Sequence, residues 1–182
     1  MGMKKLLILL SIASFSLAVS GQKISKMKMA DVVRSFSNKS DTVYVVNFWA
    51  TFCKPCVGEI PYFISICNKY KDQKVKLLLV SLDLPDYYPA KIAAFAKKSH
   101  FNTNIAWLNE TDADIFCPMI DQKWSGAIPA TIIVNGKTGF RKFFEDDIKA
   151  DEFEAIIQLA VARSASTGYV NDHSFDPVGE PQ

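Results

Sequence analysis

The sequence predicts an α/β fold, in which a central mixed β-sheet is flanked by helices on both faces. Two patterns support this prediction: strand-like and helix-like apolar segments alternate along the chain, and an antiparallel hairpin follows them. Hydrophobic residues make up 49% of the 182 positions, which is enough to fill one sizeable core. We therefore expect one domain over residues 21–165, with a leader before it and a mobile tail over residues 166–182.

The first twenty residues have the pattern of a secretory signal peptide. Lys4 and Lys5 precede an apolar stretch from Leu6 to Val19, and Ala18-Val19-Ser20 resembles a cleavage site. The stretch is shorter than the ~20 residues that span a bilayer, which favours cleavage near residue 20 over the alternative of an uncleaved N-terminal membrane anchor. The sequence thus predicts an exported, periplasmic protein.

The charge of the chain argues against nucleic acid as a partner. The formal net charge is +2, and removal of the two leader lysines balances the acidic and basic residues. Because phosphate binding requires a basic surface, no nucleic-acid partner is predicted. Export also places the four cysteines where disulfides persist, so their spacing points first to redox chemistry.

The first segments after the leader predict a helix, a strand and a second helix. Met27–Phe36 has apolar residues at helical spacing and is followed by turn formers. Thr42–Trp49 is rich in Val, Tyr and Phe without helical period, as in a strand buried on both faces. Pro55–Tyr70 has one apolar stripe and predicts a helix, so Cys53 stands at the N terminus of that helix.

The middle segments repeat the alternation. Lys74–Leu84 predicts a second strand and Pro89–Lys98 a helix. Asn104–Leu108 predicts a third strand, and Asp112–Ile120 a weak helix.

The last third predicts the hairpin and a final helix. Ala130–Val134 and Phe140–Phe144 are its strands, joined by a turn at residues 135–139. Asp147 is expected to cap the final helix, whose apolar stripe fades near Ser164.

Cys53 and Cys56 form a Cys-x-x-Cys pair at the start of a helix. Unpaired N–H groups and the helix dipole stabilise a thiolate at Cys53, whereas Cys56 lies inside the first turn and is shielded. Cys53 is therefore the predicted nucleophile and Cys56 the resolving cysteine, and the two form a reversible disulfide. Pro55 suits the first turn and stiffens the bridge. This chemistry requires no cofactor.

Other interpretations of the cysteines remain open. The Cys-x-x-Cys pair could be a static disulfide staple or half of a zinc site, but zinc usually takes four ligands, and His100 and His173 lie outside any ligand spacing. No metal is predicted. Cys67 and Cys117 fit buried apolar positions, with a disulfide between them as the alternative.

The run from Val46 to Cys56, followed by Glu59 and Pro61, resembles the thioredoxin superfamily. It is most similar to the exported TlpA/ResA-like thiol-disulfide reductases, and Ile128-Pro129 before a strand adds to the resemblance. The resemblance implies a thioredoxin-like fold, in which residues 84–112 supply the helix-strand insertion of the exported branch.

The resemblance also implies roles for individual residues. Pro129 would be a cis-proline beside the cysteine pair, and the backbone of Ile128 would pair with an extended substrate segment. Trp49 and Pro55 are expected to contribute to the same substrate site.

Glu59 is a candidate acid/base. Cytosolic thioredoxins carry a buried Asp where this chain has Asn47, and exported reductases carry a Glu at the position of Glu59. The alternative interpretation of Glu59 is a solvated helix glutamate. Two further residues differ from the pattern of the family. Phe52 stands before the first cysteine where Trp is usual, and Ala130 follows Pro129 where Thr is frequent. Both differences affect the surface that would contact a partner.

The predicted function is that of an exported thiol-disulfide oxidoreductase. The resemblance implies a reductase that keeps cysteines of exported proteins reduced, with a membrane thiol-transporter as electron donor and a role in cytochrome c maturation. The alternatives are a disulfide oxidase or isomerase and a non-catalytic binding module on a thioredoxin-like scaffold.

Overall fold

The computed structural model describes residues 22–167, so the predicted leader and nearly all of the predicted tail lie outside the described residues. The described part contains a six-stranded mixed sheet flanked by helices, as predicted. The elements are β1 (Ile24–Met27), α1 (Met29–Phe36), β2 (Val43–Trp49), α2 (Lys54–Lys69), β3 (Val75–Ser81), α3 (Ala90–Lys98), β4 (Asn104–Leu108), α4 (Ala113–Ile120), β5 (Ala130–Asn135), β6 (Phe140–Phe144) and α5 (Ala150–Thr167).

The sheet has the strand order β1-β4-β3-β2-β5-β6. The first four strands in this order are parallel to one another, whereas β5 is antiparallel to β2 and β6 to β5. Near the end of β2, Phe48 lies opposite Val80 on one side and Ala130 on the other. The segment after β2, which holds Cys53, therefore meets the segment before β5, which holds Pro129.

The clearest differences from the sequence prediction lie at the first strand and at the last helix. Residues 24–27 form an edge strand, in which Ile24 pairs with Ile105 of β4, and α1 begins at Met29 rather than Met27. This strand is four residues long, so its own pattern is too short to reveal it. Asp147 does not cap the last helix: its carboxylate pairs with Lys149, and α5 begins at Ala150.

The two faces of the sheet have separate apolar clusters. Helices α2, α3 and α5 cover one face, where Phe63 of α2 stacks on Phe153 of α5 at 3.8 Å between ring centroids. Helices α1 and α4 cover the other face. Cys67 belongs to the first cluster and Cys117 to the second, and both are free and buried. The sheet lies between them, so the alternative of a disulfide between them is wrong.

We expect the two free thiols to react only when the protein unfolds. Burial raises the pKa of Cys67 to about 12 and that of Cys117 to about 11. Iodoacetamide should leave both thiols of the oxidised native protein unmodified and should alkylate both after denaturation without reductant. A denatured protein with no alkylated thiol, measured by mass spectrometry, would contradict this separation.

Within the described residues, no helix is long and apolar enough to cross a membrane.

Candidate active site

The cysteine pair lies where β2 ends and α2 begins. A turn leads out of β2, closed by a hydrogen bond of 3.0 Å from the N–H of Cys53 to the carbonyl oxygen of Ala50. Cys53 is the N-cap of α2, and its carbonyl oxygen accepts from the N–H of Val57 at 3.0 Å. Cys53 and Cys56 are joined by a disulfide, with Cα atoms 5.3 Å apart. The predicted placement at a helix N terminus is therefore present.

The two sulfurs differ in their access to solvent. Cys53 is 8% exposed and Cys56 is fully buried. The N–H of Cys56 donates to Sγ of Cys53 at 3.4 Å, which supplies a donor to any negative charge on that sulfur. Phe52 beside it is 68% exposed. Of the two cysteines, only Cys53 therefore keeps a surface at which an incoming group could arrive.

The Ile128–Pro129 segment lies against the disulfide. Its peptide bond is cis, and the carbonyl oxygen of Ile128 is 3.8 Å from Sγ of Cys53. Trp124 Nε1 donates to the carbonyl oxygen of Ala127 at 2.8 Å and thereby holds the residue that precedes the segment in place. Pro129 is buried, whereas Ile128 remains partly exposed. A backbone edge is thus presented next to the accessible sulfur.

A second link holds this segment. Glu145, just after β6, accepts hydrogen bonds from the backbone N–H groups of Ser125 at 2.8 Å and Ala127 at 3.2 Å. Glu145 was not predicted to belong to the site, because its link to residues 125–127 exists only in the folded chain. A second cis bond, Tyr88–Pro89, was also not predicted.

Glu59 is buried in α2, with 1% of its surface exposed. Oε1 accepts from Asn47 Nδ2 at 2.8 Å, and Oε2 accepts from the N–H of Ile148 at 3.2 Å. Burial raises the pKa of Glu59 to about 7, against the lowering effect of these two donors. The alternative of a solvated helix glutamate is therefore wrong, and the carboxyl group is set to exchange a proton near neutral pH.

Asn47 joins Glu59 to the strand that follows Pro129. Its Nδ2 also donates to Oγ1 of Thr131 at 2.9 Å, and the two residues are directly opposed in the pairing of β2 with β5. All three side chains are buried. Thr131 was not identified from the sequence, because its contact with Asn47 arises from the pairing of β2 with β5.

The expectation that Trp49 contacts substrate is wrong. Trp49 is fully buried, and its ring packs edge-on against Phe101 at 5.6 Å and beside Phe95 at 6.0 Å. It belongs to the core beneath the turn. Pro55, by contrast, is exposed, and Ile128 is partly exposed, so both remain placed for a substrate contact.

Among residues 22–167, no group of three or more His, Cys, Asp or Glu side chains is arranged to hold a metal ion.

The sequence is similar to two proteins named thiol-disulfide oxidoreductase ResA. The one from Oceanobacillus iheyensis is 46% identical over 39 residues, which cover 21% of this chain and 20% of that protein. The one from Bacillus subtilis is 27% identical over 90 residues, or 50% of this chain and 45% of that protein. The chain thus spans less than half the length of either relative.

Solved structures share the fold. The thioredoxin-related protein from Neisseria meningitidis serogroup B is 25% identical with a TM-score of 0.56, covering 71% of this chain and 89% of that one. A thioredoxin-family thiol:disulfide interchange protein from Chlorobium tepidum is 15% identical with a TM-score of 0.55, covering 68% and 82%. The fold is therefore thioredoxin-like. The model of the AhpC/TSA family matches residues 12–141, which is more than half of the chain, and the protein belongs to this family.

Proposed function

We propose that this protein is an exported thiol-disulfide oxidoreductase that reduces disulfides of exported proteins. The observation that carries the proposal is the pair itself: one sulfur is accessible at a helix N terminus, the other is buried behind it, and a backbone edge lies 3.8 Å from the accessible sulfur. The similarity to the named oxidoreductases supports the same chemistry.

The reaction begins with both cysteines reduced. The thiolate of Cys53 attacks one sulfur of a client disulfide, so a Cys53–client bond forms, the client S–S bond breaks and a client thiolate leaves. Cys56 then attacks Sγ of Cys53, which breaks the mixed disulfide and releases the second client thiolate. The client gains two electrons and takes up two protons, and the Cys53–Cys56 disulfide remains.

Glu59 is the proposed acid/base for the second step. Cys56 must lose its proton before it attacks, and Glu59 lies three residues further along the same helix. With a pKa of about 7, its carboxylate can accept that proton near neutral pH. Asn47 and the N–H of Ile148 hold the carboxylate in place through their hydrogen bonds.

The client would bind along the Ile128–Pro129 segment. Ile128 is partly exposed, and its backbone would pair with an extended client segment as a further strand would, which gives affinity without demanding one client sequence. Cysteine-containing exported proteins are the proposed partners, including apocytochromes c, whose haem-attachment cysteines must be reduced. A membrane thiol-transporter is the proposed electron donor that restores the dithiol.

The reduction potential of the Cys53–Cys56 pair tests the direction of the reaction. For a reductase we expect a value below about −200 mV, because values in this fold class run from about −270 mV for reductants to about −120 mV for strong oxidants. Equilibration with glutathione, followed by alkylation and mass analysis, measures it. A potential well above −200 mV would assign the protein to the oxidases or isomerases instead.

A further inference from the structure

Asp83 lies just after β3 and is not part of the cysteine pair or of the Ile128–Pro129 segment. Its side chain is buried, with 4% of the residue exposed. Oδ1 accepts from the hydroxyl of Thr51 at 2.7 Å and from the backbone N–H of Thr51 at 3.1 Å, and Oδ2 accepts from the hydroxyl of Ser81 at 2.7 Å. A carboxylate is the side chain that can accept from several donors at once.

Thr51 lies in the turn that leads to Cys53. The last backbone bond between β2 and β3 runs from the N–H of Leu82 to the carbonyl oxygen of Trp49 at 2.8 Å. After this bond, the backbone N–H of Thr51 donates to the carboxylate of Asp83 and not to a backbone carbonyl of β3. The carboxylate of Asp83 therefore links the turn from residue 50 to residue 53 to the segment that follows β3.

The backbone of Asp83 is itself held by two hydrogen bonds. Its carbonyl oxygen accepts from Trp107 Nε1 at 2.7 Å, and its N–H donates to the hydroxyl of Ser81 at 3.1 Å. Trp107 belongs to β4 and is buried. A rigid connection thus runs from β4 through Asp83 to the turn.

We propose that Asp83 is a positioning residue for the reactive cysteine, acting through Thr51 to hold Cys53 at the start of α2 beside Ile128. The inference rests on the proposed function for its consequence in catalysis, but the placement itself can be tested without a client. When the turn is loosened, Sγ of Cys53 leaves the N–H of Cys56, and its thiolate loses the stabilisation that the helix start provides.

The test measures the alkylation of Cys53 by iodoacetamide in the reduced protein as a function of pH, with the modified peptide identified by mass spectrometry. Thr51→Val removes the hydroxyl donor at nearly constant volume. We expect the apparent pKa of the Cys53 thiol to rise by about one unit, seen as an about tenfold slower alkylation at a pH below both values. Thr51→Ser keeps the hydroxyl and should restore the wild-type profile.

Asp83→Asn distinguishes placement from charge. Loss of a nearby negative charge alone would lower the pKa of the Cys53 thiol, whereas a loosened turn raises it. We expect a rise, because the amide cannot accept from all three donors. A lowered pKa would show that Asp83 acts through its charge, and an unchanged profile in both Asp83→Asn and Thr51→Val would also overturn the inference.

Thr103→Val is the matched control, since the hydroxyl of Thr103 donates to the carbonyl oxygen of Leu77 at 3.4 Å. Thr103 directly precedes β4, at the end of the parallel strands opposite to the one that carries Cys53. The alkylation profile of Cys53 in this variant should equal that of the wild type. A pKa shift as large as the one in Thr51→Val would overturn the inference.

If Thr51→Val does not fold, Thr51→Ala removes the same hydroxyl, with the same expected shift. A wild type that reduces no protein disulfide while Thr51→Val still shifts would refute the proposed function but not the placement.

Discussion

A Cys56→Ser variant should accumulate mixed disulfides with client proteins through Cys53. Cys53 can still attack, because it is the accessible sulfur, but the side chain that releases the client is gone. Release of the client from a preformed Cys53–peptide disulfide, with no added thiol, should fall by about 1000-fold or more, because the nucleophile of that step is removed. Non-reducing electrophoresis of cells that export the variant, followed by mass spectrometry, identifies the trapped clients.

The matched control is the double variant Cys53→Ser/Cys56→Ser. It should trap nothing, since no thiol remains at the active-site surface and the two remaining cysteines are buried. A binding module with a static disulfide predicts no trapped clients from the single variant either. Equal yields from the single and double variants would therefore refute the oxidoreductase proposal.

Glu59→Gln should slow the release of the mixed disulfide by about 100-fold near neutral pH, the lower end of what a general acid/base contributes. In the wild type, the release rate should rise as pH increases to about 7, because the carboxylate form of Glu59 is the one that accepts the proton of Cys56. Stopped-flow measurement with a preformed Cys53–peptide disulfide gives this rate at each pH. The Gln variant should lack the rise associated with Glu59.

The stability of the protein gives an independent measure of the same carboxyl group. Because its pKa is raised from 4.5 to about 7 in the folded state, the folded protein binds more protons than the unfolded chain between these values. The associated stability is present in full below pH 4.5 and is lost as pH rises through 7, by up to about 3 kcal/mol. Urea unfolding of wild type and Glu59→Gln across this range should show that the variant lacks this fall.

Glu152→Gln, on the exposed side of α5, is the control for both measurements and should behave as the wild type does. Identical pH dependence of the release rate in wild type and Glu59→Gln would contradict the acid/base role. The stability result would stand separately, because it depends on the raised pKa of Glu59 in the folded protein and not on the part that Glu59 plays in release.

Much of the fold follows from local sequence patterns. β4 has the bounds that its apolar pattern predicts, β2 differs from its predicted bounds by one residue at its start, and α2 differs by one residue at each end. Local periodicity suffices for these elements because each buries a continuous stripe or run. The edge strand at residues 24–27 is too short to carry such a signal, and it exists through its pairing with β4.

The candidate site was predictable where its residues are close in sequence. Cys53 and Cys56 and their place at the helix start follow from spacing alone. Glu59 accepts a hydrogen bond from Ile148, which is 89 positions away. The turn before Cys53 is held by Asp83, which is 32 positions from Thr51. Such contacts arise from the strand order, which no single segment reveals.

In the proposed mechanism the start of α2 stabilises Cys53 as an accessible thiolate. The most direct measurement is the rate of alkylation of Cys53 in the reduced wild-type protein across pH 4 to 10. We expect ready modification of Cys53, with an apparent pKa clearly below the ~8.5 of free cysteine, while Cys56 remains unmodified. A Cys53 thiol that resists alkylation, or that titrates at or above ~8.5, would contradict it.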